Sequence, residues 1–271
     1  MIAMRPIGNT DIRVSKIGLG TVSFGGLYSP TTQDMATEAV HTCLDSGVNY
    51  FDTAPLYGYG EAEKRLGVAL QGIRRDLYVV STKVGRVLDP ISEEANAKRN
   101  DWFINPAAFE PRDDYTRDGI IRSFESSLER LQLDHVDIVY VHYGQISSEN
   151  TSRIIDESYP VLADLRSQGV VKAIGMGMDL ADPLVHMASQ AHFDVFMLAF
   201  RYNLLDWSAL DELLPLCQKN NVSVVIAAPY TGGILAMDDL SKSPKYMYRD
   251  APPDIIAQAQ RIKNVCDHHG V

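Results

Sequence analysis

Short apolar runs recur along the chain with amphipathic stretches between them, the alternation expected of a parallel sheet with crossover helices. The runs cover residues 17–21, 50–54, 78–84, 136–142, 172–177, 195–200 and 223–229, which predicts seven strands. Apolar positions at helical spacing predict helices over 31–46, 61–70, 117–131, 154–168, 183–191, 208–219 and 253–269. Gly47, Gly72 and Gly169 stand where a left-handed C-cap is wanted, and Thr31 or Thr32 precedes the first helix as its N-cap. Residues 5–16, with Gly8-Asn9 as the turn, predict a β-hairpin ahead of the first strand.

Two segments break the rhythm. Residues 88–115, rich in Asn, Asp and Pro, are too long for a routine connection, and residues 234–250 form a second insertion after the seventh strand. No linker, repeat or low-complexity tract divides the chain, so residues 1–271 read as a single domain. Seven β/α units fit either a doubly wound open sheet or a (β/α)8 TIM barrel. An open nucleotide-binding sheet calls for GxGxxG after its first strand. Here the glycines of that turn, Gly18, Gly20, Gly25 and Gly26, do not fit the spacing. The barrel is favoured, with a sequence that stops before the eighth strand and helix that would close it.

Composition narrows the function. A chain of 271 residues with 45% apolar and 22% charged residues suits a globular enzyme. A formal charge of −10, with no Lys/Arg stripe interleaved with aromatics, argues against nucleic acid and leaves small-molecule chemistry in front. Cys43, Cys217 and Cys266 are odd in number and far apart, which suggests neither a disulfide framework nor a metal site. No apolar stretch reaches the ~18 residues of a membrane helix and no signal segment opens the chain, so a soluble cytoplasmic protein is expected.

Reacting groups of a barrel sit at the C-terminal ends of its strands. Asp52 ends the second apolar run, Tyr57 follows in the loop, Lys83 ends the third run and His142 the fourth. Taken singly, each has a plain structural reading: a packed aromatic, a buried ion pair, a satisfied core histidine. Together, three polar groups interrupting apolar strands at that depth are expected to pair, because an unpaired charge there is costly. A lysine beside a tyrosine is expected to lower the phenol below its usual value and make it a proton donor near neutral pH. That is machinery for interconverting a carbonyl and an alcohol.

The strings Phe51-Asp52-Thr53-Ala54-Pro55-Leu56-Tyr57-Gly58, Ser81-Thr82-Lys83-Val84-Gly85 and Val141-His142 resemble, in order, the tetrad motifs of the aldo-keto reductases. The resemblance implies a (β/α)8 barrel binding NAD or NADP at its mouth, Tyr57 as general acid/base, Asp52 and Lys83 as its tuning pair, and His142 as substrate orienter. The strings STKVGR, DYTRDG, DIVYVH, RSQGVVKAIG, RYNLLD and APYTGGIL are similar to the aldose dehydrogenase branch, which includes pyridoxal dehydrogenases. An aldose or similar aldehyde is the substrate this implies. By the same resemblance, Gly20, Thr21, Asp52, Gly177, Met178, Arg201 and the turn Pro229, Tyr230, Thr231, Gly232, Gly233 are the cofactor contacts. Tyr28, Trp102, Phe103, His142 and Tyr143 are the substrate contacts, and no metal is expected. Two departures stand out. Gly177-Met178 replaces the Ser-Asn pair of many reductases, and Tyr143 follows the histidine where this branch more often has an acidic residue. The alternative is a reductase-like barrel acting as a binding or regulatory subunit. The complete tetrad opposes that reading and the unclosed barrel favours it; oligomeric state is left open.

Overall fold

The structure is a computed structural model and describes residues 2–99, 102–144 and 147–271. β1 (Met4–Pro6) and β2 (Arg13–Ser15) form the expected antiparallel hairpin. Next come β3 (Leu19–Gly20), α1 (Gln33–Asp45), β4 (Tyr50–Asp52), α2 (Glu61–Ala69) and β5 (Val79–Val84). The first long insertion supplies β6 (Arg86–Pro90), α3 (Glu93–Ala97) and β7 (Phe109–Asp113), with β6 and β7 paired antiparallel. The alternation resumes with α4 (Arg117–Leu131), β8 (Ile138–His142), α5 (Ser148–Arg153), α6 (Tyr159–Ser167), β9 (Ala173–Met178), α7 (Ala181–Ala188) and β10 (Val195–Ala199). It ends with α8 (Leu213–Asn220), β11 (Ser223–Ala227), the small ribbon β12 (Lys245–Tyr246) and β13 (Arg249–Asp250), and α9 (Pro253–His269).

Seven strands run parallel in the order β11-β10-β9-β8-β5-β4-β3, the sheet of a TIM-barrel fold. β3 and β11 lie at its edges, and no eighth parallel strand occurs among the described residues. Every predicted strand is present. The first is shorter than its apolar run because Ile17 faces solvent and its carbonyl accepts from the Ser15 hydroxyl. Thr32, not Thr31, caps α1 by accepting from the Met35 N–H. The helix expected over 154–168 starts earlier, as α5, and passes through a π turn at Ile154–Ser158 before α6. Pro160, without an N–H, stands at the start of α6, where the ladder changes register. The helix expected over 208–219 divides into a 3-10 turn, Ser208–Leu210, and α8. Pro215 falls in the first turn of α8, the place in a helix where a missing N–H costs nothing.

Alternation along each strand sorts side chains into two cores. Phe51, Val80, Val139, Val141, Ile174 and Phe196 face the helices. Tyr50, Val79, Ile138, Tyr140, Ala173, Val195 and Met197 face the interior, where Ile7, Ile12 and Val14 of the hairpin pack against them. The hairpin meets the starts of the strands: the Gly8 N–H donates to Ser223 Oγ at 2.8 Å, and a Cβ on Gly8 would come within 2.6 Å of the Asp194 carbonyl. The hairpin therefore closes one end of the barrel and leaves the C-terminal ends of the strands as the open mouth. Among the described residues, no helix is long and apolar enough to cross a membrane, and no group of three His, Cys, Asp or Glu could hold a metal.

Candidate active site

Parallel pairing brings the chemistry-bearing residues to one rim. Gly20 pairs with Asp52, Asp52 with Ser81, Lys83 with Tyr140, and His142 with Gly177. A period of two puts Asp52 two residues beyond the inward Tyr50, Lys83 beyond Val79 and Ser81, and His142 beyond Ile138 and Tyr140. All three thus follow inward-facing positions at the mouth.

Lys83 is buried and donates to Asp52 Oδ2 at 2.7 Å and to the Thr53 carbonyl at 2.8 Å. Its ammonium lies 4.9 Å from the centre of the Tyr57 ring. Burial works against the charge on Lys83, but Asp52 and Tyr57 outweigh it and hold the lysine above its usual pKa. It is an ammonium at any physiological pH. For Tyr57, burial raises the pKa and the Lys83 charge lowers it, with burial prevailing. The expectation that Lys83 brings this phenol below its ordinary value is therefore corrected. Lysine limits the rise that desolvation of the phenolate imposes, and Tyr57 stays protonated at neutral pH.

The loop that carries Tyr57 is fixed by backbone contact. Gly58, at φ +61, approaches Gly25 so closely that a Cβ on Gly58 would sit 2.5 Å from the Gly25 carbonyl oxygen, and one on Gly25 2.5 Å from the Gly58 nitrogen. Tyr57 itself is tied at both ends, its N–H donating to the Ala54 carbonyl at 3.1 Å and its carbonyl accepting from Ala62 at 3.2 Å.

His142 lies well below the usual imidazole pKa, first because it is buried and then because Arg86 and Lys83 are nearby cations. Its Nδ1 is buried without a hydrogen-bond partner. Arg86 was not among the residues singled out from the sequence. It follows Gly85, and its guanidinium crosses Gly144, where a Cβ would fall 2.0 Å from Arg86 Nη2. Arg86 also pairs with Asp113 at 3.4 Å and lowers the pKa of both Tyr57 and His142. Its only sequence signal is its place just after the lysine strand.

The remaining predicted positions divide. Around the mouth, Gly20 has open space where a Cβ would be, and a Cβ on Gly177 would stand 3.8 Å from Lys83 Cε. Thr21 Oγ1 and Thr231 Oγ1 are buried without partners, and Met178 is buried. Pro229 and Tyr230 are exposed. Gly233 has open space around it, whereas Gly232 is needed by the fold, since a Cβ there would meet the Lys245 carbonyl at 2.9 Å. Arg201 is held by the Asp179 carbonyl at 2.7 Å and by Asp206 at 3.0 Å, so it braces two loops together. A nicotinamide nucleotide fits such a rim: flat bare backbone beside a buried ammonium, with polar atoms still lacking partners.

Among the substrate candidates, Trp102 is 53% exposed and stacks on Tyr248 at 5.5 Å, and its carbonyl accepts from the Tyr28 N–H at 3.1 Å. Tyr248, from the second insertion, also meets Phe200 edge-on and lies close enough to Tyr57 and Lys83 to feel their charges. It was missed from the sequence, because nothing in 234–250 marks which residue reaches back to the mouth. Phe103 is buried edge-on against Tyr59. Tyr143 is buried against Tyr115, with its hydroxyl 2.7 Å from Thr151 Oγ1, so both belong to the packing of their loops. Of the residues that follow His142, Gln145 lies outside the described residues.

A buried ammonium–carboxylate pair beneath a tyrosine, at the mouth of a TIM-barrel fold, defines the class of carbonyl-reducing and alcohol-oxidising barrels. The chain belongs to the aldo/keto reductase family, whose sequence profile matches residues 16–271. It is 35% identical to a D-threo-aldose 1-dehydrogenase from a Pseudomonas species, over 96% of this chain and 79% of that protein. It is also 35% identical to a pyridoxal 4-dehydrogenase from Microbacterium luteolum, over 98% of this chain and 82% of that protein. Among solved structures, an aldo-keto reductase from Bacillus halodurans in its holo form superposes with a TM-score of 0.75 at 25% identity, covering 97% of this chain and 77% of that one. The protein is an NAD(P)-dependent oxidoreductase acting on carbonyl compounds and their alcohols.

Proposed function

We propose that the chain oxidises C1 of a free aldose, or of a similar polar aldehyde in its hemiacetal form, through Tyr57, Lys83, Asp52 and His142. The observation that carries this reading is the 2.7 Å Lys83–Asp52 pair beside Tyr57, in a chain 35% identical to an aldose 1-dehydrogenase. Bound NAD(P)+ supplies the hydride acceptor at nicotinamide C4, and the residues of the chain handle the proton. Tyr57 takes the O1 hydroxyl proton as C1 loses its hydride and becomes a lactone carbonyl; in the reductive direction it returns that proton. Lys83 stabilises the phenolate, and Asp52 keeps Lys83 charged and aimed. His142, held neutral, offers the substrate oxygen a hydrogen bond without adding a competing acid. Gly20, Thr21, Gly177, Met178 and the Pro229–Gly233 turn are the proposed cofactor contacts, and Tyr28 and Trp102 the proposed substrate contacts.

A second reading, pyridoxal oxidation, is favoured by the stacked Trp102–Tyr248 rings at the mouth, a surface suited to a flat aromatic substrate. Fluorescence titration with NADH and NADPH, followed by a panel of aldoses and pyridoxal with each oxidised nucleotide, tests both. Production of reduced nucleotide from aldoses supports the first reading and from pyridoxal alone the second. Nucleotide binding with no turnover of any member contradicts both and leaves a binding barrel.

A further inference from the structure

Three hydroxyl groups stand in line behind Asp52 inside the barrel. Ser81 Oγ donates to Asp52 Oδ1 at 2.7 Å, Tyr50 Oη lies 3.0 Å from Ser81 Oγ, and Tyr140 Oη lies 3.0 Å from Tyr50 Oη. Tyr50 is 4% exposed, Ser81 and Tyr140 0%. The direction of each bond follows from the donor inventory. A carboxylate only accepts, so the single Ser81 proton points to Asp52. Ser81 Oγ must then accept from Tyr50, and Tyr50 from Tyr140. Every proton in the line points toward the carboxylate.

The interior of a barrel needs only apolar filling, and phenylalanine at 50 and 140 with alanine at 81 would provide it with no buried polar atom to satisfy. The fold instead makes room for the line. Gly175 pairs with Tyr140 across β8 and β9, and a Cβ there would come within 2.5 Å of the Tyr140 ring and 2.5 Å of the Val195 carbonyl. An O–H whose own oxygen accepts a bond is a stronger donor, by roughly 10–30% per bond. The three groups together thus give Asp52 Oδ1 a stronger partner than Ser81 alone, while Oδ2 is left for Lys83.

We propose that Tyr140, Tyr50 and Ser81 form a one-way hydrogen-bond chain that fixes the Asp52 carboxylate in place, and thereby holds the Lys83 ammonium beside Tyr57. They are positioning residues, acting through Asp52, and the proposal rests on the reading of Tyr57 as the proton carrier. Without the chain, Asp52 Oδ1 loses its buried donor, and the carboxylate is free to turn and no longer fixes Lys83 against Tyr57. The positive charge beside Tyr57 weakens, and its phenol becomes harder to ionise. The groups facing Tyr57 are Lys83, Asp52, Arg86, Tyr50 and Tyr248, and of these the substitutions below alter only Tyr50.

Ultraviolet titration of each variant against its own Tyr57→Phe partner isolates the Tyr57 phenolate from the other tyrosines without requiring turnover. Ser81→Ala is expected to move the Tyr57 midpoint up by about half to one pH unit, Tyr50→Phe by less and Tyr140→Phe by least. Ser81→Thr, which keeps a hydroxyl, leaves the midpoint in place. If Ser81→Ala does not fold, Tyr50→Phe, which removes one oxygen and keeps the ring, carries the test. A midpoint unchanged in both overturns the proposal. A shifted midpoint in a chain that oxidises nothing supports it while contradicting the enzymatic reading, and an unshifted midpoint in an active enzyme does the reverse.

Discussion

At the scale of single residues, His142 is held neutral by burial and by two cations, Arg86 and Lys83. Its folded pKa is depressed below the unfolded value of about 6.5, so below that pH the unfolded chain binds a proton that the folded chain refuses. Stability is therefore lost as pH falls through 6.5 toward the folded pKa, and is fully present above it. His142→Gln is expected to lose less stability than the wild type between pH 7 and 5, as read by urea denaturation at each pH; an equal loss would contradict the assignment. Arg86 acts on both His142 and Tyr57 in the lowering direction. Arg86→Met should consequently move the alkaline rise of oxidation to higher pH, by less than about one unit, in a pH profile of kcat/KM. Asp52 and Lys83 were legible in the sequence because a charge inside an apolar run has to be paired. Arg86 was not, because an arginine opening the strand of an insertion gains its meaning only when the chain turns its guanidinium across Gly144.

At the scale of elements, the helices are braced by contacts that sequence spacing does not reveal. Glu63 of α2 is fully buried, accepting from Arg130 of α4 at 2.6 Å and from Thr82 of β5 at 2.6 Å. Glu63→Ala leaves the half-buried Arg130 guanidinium and the buried Thr82 hydroxyl without their shared partner and should cost about 3–5 kcal/mol in urea denaturation, whereas Glu61→Ala, in an exposed pair with Lys64, should cost less than about 1 kcal/mol. Gly67, inside α2, touches α4: a Cβ there would come within 2.3 Å of the Leu131 carbonyl. Gly67→Ala, a gain in helix propensity, is nevertheless expected to destabilise. The strands and most helices were legible because their periodicities differ. The break at Ile154–Ser158 and the divided helix before β11 were not, because Pro160 and Pro215 act on the backbone and leave the apolar pattern intact.

At the scale of the whole molecule, the parallel sheet is plugged at one end by the hairpin and open at the other, so stability and chemistry are separated along the barrel axis. Ile12, buried between hairpin and sheet, should lose about 2–4 kcal/mol on truncation to alanine while kcat/KM of the folded fraction stays unchanged. The order of strands followed from β/α alternation, and the meeting of Asp52, Lys83 and His142 followed from their places at consecutive strand ends. The reach of Tyr248 back to the mouth did not, since it depends on how two insertions fold against each other. The central claim is that Tyr57 carries the proton while hydride moves at C1. Its most direct measurement is single-turnover oxidation of a substrate aldose by Tyr57→Phe, with NADH and NADPH affinities measured on the same protein. Nucleotide binding within about threefold of wild type and hydride transfer slowed by about 10²–10⁴-fold are predicted, whereas transfer at the wild-type rate would contradict the account.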